Sequence, residues 1–129
     1  MSDIYKQIFY SRVYRDTGYR GLQVAAVYAP GFGAEWSATE ASLGNTDLAK
    51  LLMFHPDIVR FVQDVPVERR TESKLKAVLD RIGVTDYVYC GAVKDLRIKW
   101  IDEGTRFIIT QYDGNERVEV YDPSDFFAA

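Results

Sequence analysis

Hydrophobic positions recur along this chain with a period of two near both ends and a period between three and four in the middle. From Ile4 to Tyr14, Tyr5, Phe9 and Val13 share one parity while Ile8, Tyr10 and Tyr14 share the other, which predicts a strand covered on both faces. Asp16-Thr17-Gly18 and Arg20-Gly21 carry turn chemistry, and Leu22 to Tyr28 is apolar and β-prone, so the two segments predict a hairpin that Pro30 ends. The stretch from Ala29 to Gly44 has little periodicity and reads as a long loop bearing Phe32 and Trp36. Thr46 or Asp47 can cap a helix with Leu48, Leu51 and Leu52 on one stripe, and His55-Pro56 interrupts it. Pro56 then starts a second helix with Ile58, Phe61 and Val62 inward, closed by Pro66. A third spans about Thr71 to Ile82, with Leu75, Val78, Leu79 and Ile82 inward and Gly83 as its stop.

Four further strands are predicted: Tyr87 to Cys90, Leu96 to Ile101, Phe107 to Tyr112 and Arg117 to Tyr121, the last two joined through Asp113-Gly114-Asn115. Leu96, Ile98 and Trp100 are expected on the same face as Phe107, Ile109, Val118 and Val120, beneath the helices. Strands grouped at both ends with helices between them give an α+β class. The expectation is a single domain over residues 1–129, with an antiparallel sheet of N-terminal hairpin plus C-terminal strands packed on about three helices.

Composition supports one ordered core: the chain has 129 residues, 47% of them hydrophobic and 14% aromatic. A net charge of −3 disfavours sequence-independent nucleic-acid binding. One cysteine, Cys90, excludes an internal disulfide or a multi-thiolate metal site and suits a reducing cytoplasm. No apolar run is long enough to span a membrane as a helix.

Candidate chemistry is sparse. Nucleophilic catalysis by Ser or Cys needs an imidazole, and the lone His55 reads as a helix-junction residue or cap, with Cys90 in a strand-like context. Asp113-Gly-Asn-Glu116 reads as a hairpin turn without the ligands of a calcium loop, and Asp122 and Asp125 as a turn with a cap. Gly31-Phe-Gly33 lacks the third glycine and the Lys-Ser/Thr of a phosphate loop. Glu35, Glu103 or Asp113 could serve as acid or base only if the fold brings them into a cleft between helices and sheet. Lys6, Arg12, Arg15 and Arg20 interleave with Tyr5, Tyr10, Tyr14 and Tyr19, the composition of a single-stranded nucleic-acid platform, though an outer strand face accounts for it more simply. No metal or cofactor is expected.

The segments Gly31-Phe-Gly-Ala-Glu-Trp-Ser37, Leu51-Leu-Met-Phe-His-Pro-Asp-Ile-Val59, Tyr87-Val-Tyr-Cys-Gly-Ala92, Leu96-Arg-Ile-Lys-Trp-Ile-Asp-Glu-Gly-Thr-Arg-Phe107 and Tyr112-Asp-Gly114 resemble a group of small phage- and prophage-encoded proteins of unassigned function. Glu35 stands where those sequences usually have glycine and Asp102 where they often have proline, so the turn before Gly104 falls to Glu103-Gly104. The resemblance implies a setting in the bacterial host cytoplasm and carries no site residue across. The leading expectation is an accessory protein that binds a host or phage protein, one version being interference with bacterial defence. Phe32, Glu35, Trp36, Tyr112 and Asp113 are its contact residues. Self-association through a sheet edge stays open.

Overall fold

A computed structural model of the chain describes residues 4–19 and 21–120. Among these residues five strands and four α-helices form two antiparallel sheets packed with helices, the expected α+β architecture. In the first sheet, β2 (Leu22–Tyr28) lies between β1 (Tyr14–Asp16) and β3 (Arg97–Asp102). The second sheet is a hairpin of β4 (Phe107–Tyr112) and β5 (Asn115–Val120). Between β2 and β3 run α1 (Ser37–Ser42), α2 (Thr46–Phe54), α3 (Pro56–Asp64) and α4 (Glu72–Ile82).

The central strand explains this layout. β2 is apolar on both parities, so neither of its faces can be left wet. Ala25 and Val27 face the main core, where Leu48, Leu51 and Leu52 of α2, Ile58 of α3 and Leu75 of α4 converge. Val24 and Ala26 face a second cluster with Phe54 and Ile101, against which Phe107 and Val118 of the hairpin pack. The expected single apolar face is therefore split. Ile98 and Trp100 join the main core, opposite Val27 and Ala25 in register, while Phe107 and Val118 cover the other side of β2. Asp102 to Thr105 makes the turn between them, closed by Thr105 N–H to the Asp102 carbonyl at 3.0 Å, with Gly104 at φ 84°.

Two predicted strands are absent. Ile4–Gln7 is a 3-10 turn that buries Tyr5, and only Tyr14–Asp16 pairs with β2. Before Val13 the chain leaves the sheet toward α2, where the Arg12 guanidinium lies 4.0 Å over the Phe54 ring. Tyr87 to Cys90 is not a strand either: it pairs with neither sheet. The segment is tied down instead by the Tyr5 hydroxyl, which accepts from Asp86 N–H at 3.0 Å. The predicted extension of the last strand to Tyr121 and the turn at Asp122 and Asp125 lie outside the described residues.

The helix signals translate directly into geometry. His55 caps α3, its Nδ1 accepting from Asp57 N–H at 3.1 Å, with Pro56 in the first turn. Thr71 caps α4 through Lys74 N–H at 3.2 Å, and Gly83 ends it at φ 98°. Just before α4, the buried Arg70 donates to four carbonyls: Val62 and Val65 at the end of α3, at 2.8 and 3.1 Å, and Leu96 and Val93 before β3, at 2.9 and 3.3 Å. A cation thus meets the negative end of α3 and joins it to the chain entering β3.

Candidate functional site

The tip of the β4–β5 hairpin is a two-residue turn. Tyr112 pairs with Asn115, and Asp113 and Gly114 between them have φ 49° and 80°, the left-handed pair that matches the twist of the flanking strands. Aspartate tolerates this conformation and glycine adopts it freely. The Gln111 amide oxygen secures the turn by accepting from Gly114 N–H at 2.7 Å.

This tip is stitched to the loop that leaves β2. Gly33 N–H donates to the Asp113 carbonyl at 2.6 Å, Glu35 N–H to the Gly114 carbonyl at 2.7 Å, and Gly31 N–H to the Asn115 side chain at 2.8 Å. A β-carbon on Gly114 would stand 2.9 Å from Gly33 Cα, so glycine at 114 lets the two backbones touch.

Beneath the junction lies Glu116, only 1% exposed. One carboxylate oxygen accepts from Ala29 N–H at 2.9 Å, and the other from Trp36 N–H at 2.8 Å and Ala38 N–H at 2.9 Å. α1 has no local side-chain cap, and this carboxylate from β5 serves its N-terminus instead, where the helix dipole favours an anion. Among the described residues no cation pairs with Glu116. Burial raises its pKa above the usual carboxylate value, the three backbone N–H groups oppose that rise, and the nearby Glu35 charge adds to it.

Four of the five expected contact residues come together above this anchor. Phe32 and Tyr112 are 73% and 71% exposed, and their rings meet edge to face with centroids 6.4 Å apart. Asp113 is exposed at the turn beside them. Glu35 sits in the loop at φ 29°, half-buried, its carboxylate accepting from the Thr39 hydroxyl at 3.2 Å. Trp36 is different: it is 3% exposed, and its indole N–H donates to the Leu52 carbonyl at 3.0 Å. It supports the surface from the core and cannot touch a partner directly. Glu116, which sequence reasoning placed in a turn, was signalled by its parity: it alternates with Val118 and Val120, so a carboxylate falls on the strand's apolar side.

The other chemical candidates are dispersed. His55 is buried against Tyr10, ring centroids 5.1 Å apart, and burial lowers its pKa while Asp57 opposes that shift. Cys90 donates to the Val88 carbonyl at 3.5 Å, and burial raises its thiol pKa, so it is held away from the reactive thiolate form. It lines a cavity of about 500 Å³ with Glu72, Lys76, Asp80 and Asp86, in which none of Glu35, Glu103 and Asp113 takes part. Of the N-terminal basic and aromatic residues, Arg12 covers Phe54, Arg15 covers Trp100 at 4.5 Å and bonds Gln23, and Tyr5 is buried; Arg20 lies outside the described residues. Tyr14 and Tyr19 stay exposed, while Tyr5 and the Arg12 and Arg15 guanidiniums are engaged on the protein itself. Among the described residues no three His, Cys, Asp or Glu side chains converge as metal ligands, and no helix is long and apolar enough to cross a membrane. Comparison with protein-family models, with curated proteins and with solved structures yields no match.

Proposed function

We propose that the protein is a small binding module that engages a protein partner through the surface built from the 31–35 loop and the β4–β5 tip. The observation that carries this reading is the edge-to-face pair of Phe32 and Tyr112, exposed in solution yet mounted on a backbone junction fixed by Glu116. Large aromatic side chains supply most of the binding energy in many interfaces, and a prepositioned pair loses little conformational freedom on docking. Asp113 and Glu35 add an acidic margin, which suits a partner with basic residues around an apolar centre. The motifs at 31–37 and 103–114 that resemble small phage and prophage proteins favour a partner of phage or bacterial-host origin, with interference in host defence as one version.

The test compares the native chain with Phe32→Ala/Tyr112→Ala in affinity capture from phage-infected bacteria, followed by titration of the recovered partner. Loss of such a pair is expected to remove about 2 kcal/mol or more, about thirtyfold in Kd. Phe9→Ala and Tyr87→Ala, which remove exposed aromatics elsewhere, should leave the affinity unchanged. A partner indifferent to the double substitution, or no partner that distinguishes the two chains, removes the reading.

A further inference from the structure

Among the described residues the β4–β5 sheet has two strands, so each has an outer edge. Tyr112 and Asn115 close the two-residue turn and exchange the first ladder hydrogen bonds, and the antiparallel alternation gives the next bonded pairs to Thr110 and Ile108. Glu116, in the intervening pair, accordingly turns its N–H away from β4, to the Ala29 carbonyl at 3.0 Å. By the same alternation Phe107 and Ile109 direct their backbone N–H and carbonyl groups away from β5, and no described residue pairs with them.

A groove of about 550 Å³ follows this open edge. Residues 105–109 line it without a gap and on both parities, as a strand does where its backbone edge forms the wall. Lys50, Met53 and Phe54, one stripe of α2, complete the groove, and the Arg12 guanidinium lies 4.0 Å over the Phe54 ring. Arg12, Lys50 and Arg106 are exposed, no lining residue is acidic, and among the described residues none of the three cations makes an ion pair. In a chain of net charge −3, unpaired peptide groups, apolar surface and a local surplus of positive charge meet in one slot.

We propose that the open edge of β4 receives an extended acidic segment of a partner protein as a third strand. The backbone groups of Phe107 and Ile109 pair with those of the incoming strand, a repeat that neither a nucleic acid nor a small organic acid offers. Its carboxylates answer Arg12, Lys50 and Arg106, and its apolar side chains fill the groove against Met53, Phe54 and Phe107. Charge selects against self-pairing, since a second copy at this edge brings the same three cations with it. The groove lies at the start of β4 and the Phe32–Tyr112 surface at its end, so this site does not depend on the function proposed for that surface.

The test titrates the full chain with synthetic peptides of about eight residues that alternate glutamate with valine, leucine or phenylalanine. Saturation should slow amide hydrogen exchange at Phe107 and Ile109 and leave Ile108 and Thr110, already in the ladder, unchanged. Lys50→Glu/Arg106→Glu should weaken the peptide by about tenfold or more, and N-methylation of the peptide amides that face β4 should abolish binding. The proposal is overturned if none of these peptides binds, if exchange at Phe107 and Ile109 stays unchanged on binding, or if lysine-containing or N-methylated counterparts bind equally well. An oligothymidylate bound more tightly than every peptide also overturns it. So does protection of Phe107 and Ile109 that grows with the concentration of the native chain alone, which assigns the edge to a second copy.

Discussion

Glu116 and Arg70 are mirror images in charge and differ in what they leave exposed. Both are buried ions without a counter-ion among the described residues, and both end a helix: the anion meets backbone N–H groups at the start of α1, the cation meets carbonyls at the end of α3. In each case the helix dipole and several charge-assisted hydrogen bonds offset the loss of water. The guanidinium, although burial lowers its pKa, stays charged at any working pH, and it knots helix to strand deep in the molecule. The carboxylate is titratable, and it holds up a surface. A permanent ion secures the frame, while a proton-sensitive one secures the part that faces outward.

The largest effect is expected at the cation. Arg70→Met leaves four carbonyls without their donor and should destabilise the fold by at least about 3 kcal/mol, read from urea unfolding. Arg70→Lys should recover less than half, because an ammonium cannot span four acceptors with the geometry of the planar fork. Glu116→Ala orphans three N–H groups and should lower stability by about 2 to 3 kcal/mol, while Glu116→Gln, with one acceptor oxygen in place of two, should lose about half as much. If both Glu116 variants leave hydrogen exchange at Trp36 and Ala38 unchanged, the anchor assigned to this carboxylate is wrong.

The smallest effect separates the two sites by pH. Because the folded-state pKa of Glu116 is raised, the folded protein holds that proton more tightly than the unfolded chain. Stability attributable to Glu116 therefore rises as pH falls through the raised value and is complete below the ordinary carboxylate pKa; it is lost again as pH climbs. Plotting the difference between native and Glu116→Gln unfolding free energies against pH should show this slope. The corresponding difference for Arg70→Met should be flat across the same range.

The uneven legibility of these features in the sequence has a physical basis. Helix caps are local, so Thr71, Gly83 and His55-Pro56 announce their roles within a few residues. The Asp113-Gly114 turn is equally local, and it correctly placed Tyr112 and Asp113 at a hairpin tip. Sheet pairing is not local: the stretch from Ile4 to Tyr14 and that from Tyr87 to Cys90 have strand composition, yet apart from Tyr14 neither joins a sheet. Trp36 looked like a contact residue because it sits in an irregular stretch, and its burial is decided by an α2 carbonyl it could not be seen to reach. Glu116 and Arg70 were missed for the same reason. Their partners are backbone groups that sequence does not mark, the farthest of them 87 positions away from Glu116, at Ala29.

The placement of β2 has one more consequence. Its alanines at 25 and 26 are wholly inaccessible to solvent and point in opposite directions, so a single ribbon of backbone is the partition between two oily compartments. Opening either compartment strips one side of that shared wall, so the ribbon couples the helical half of the molecule to the hairpin half.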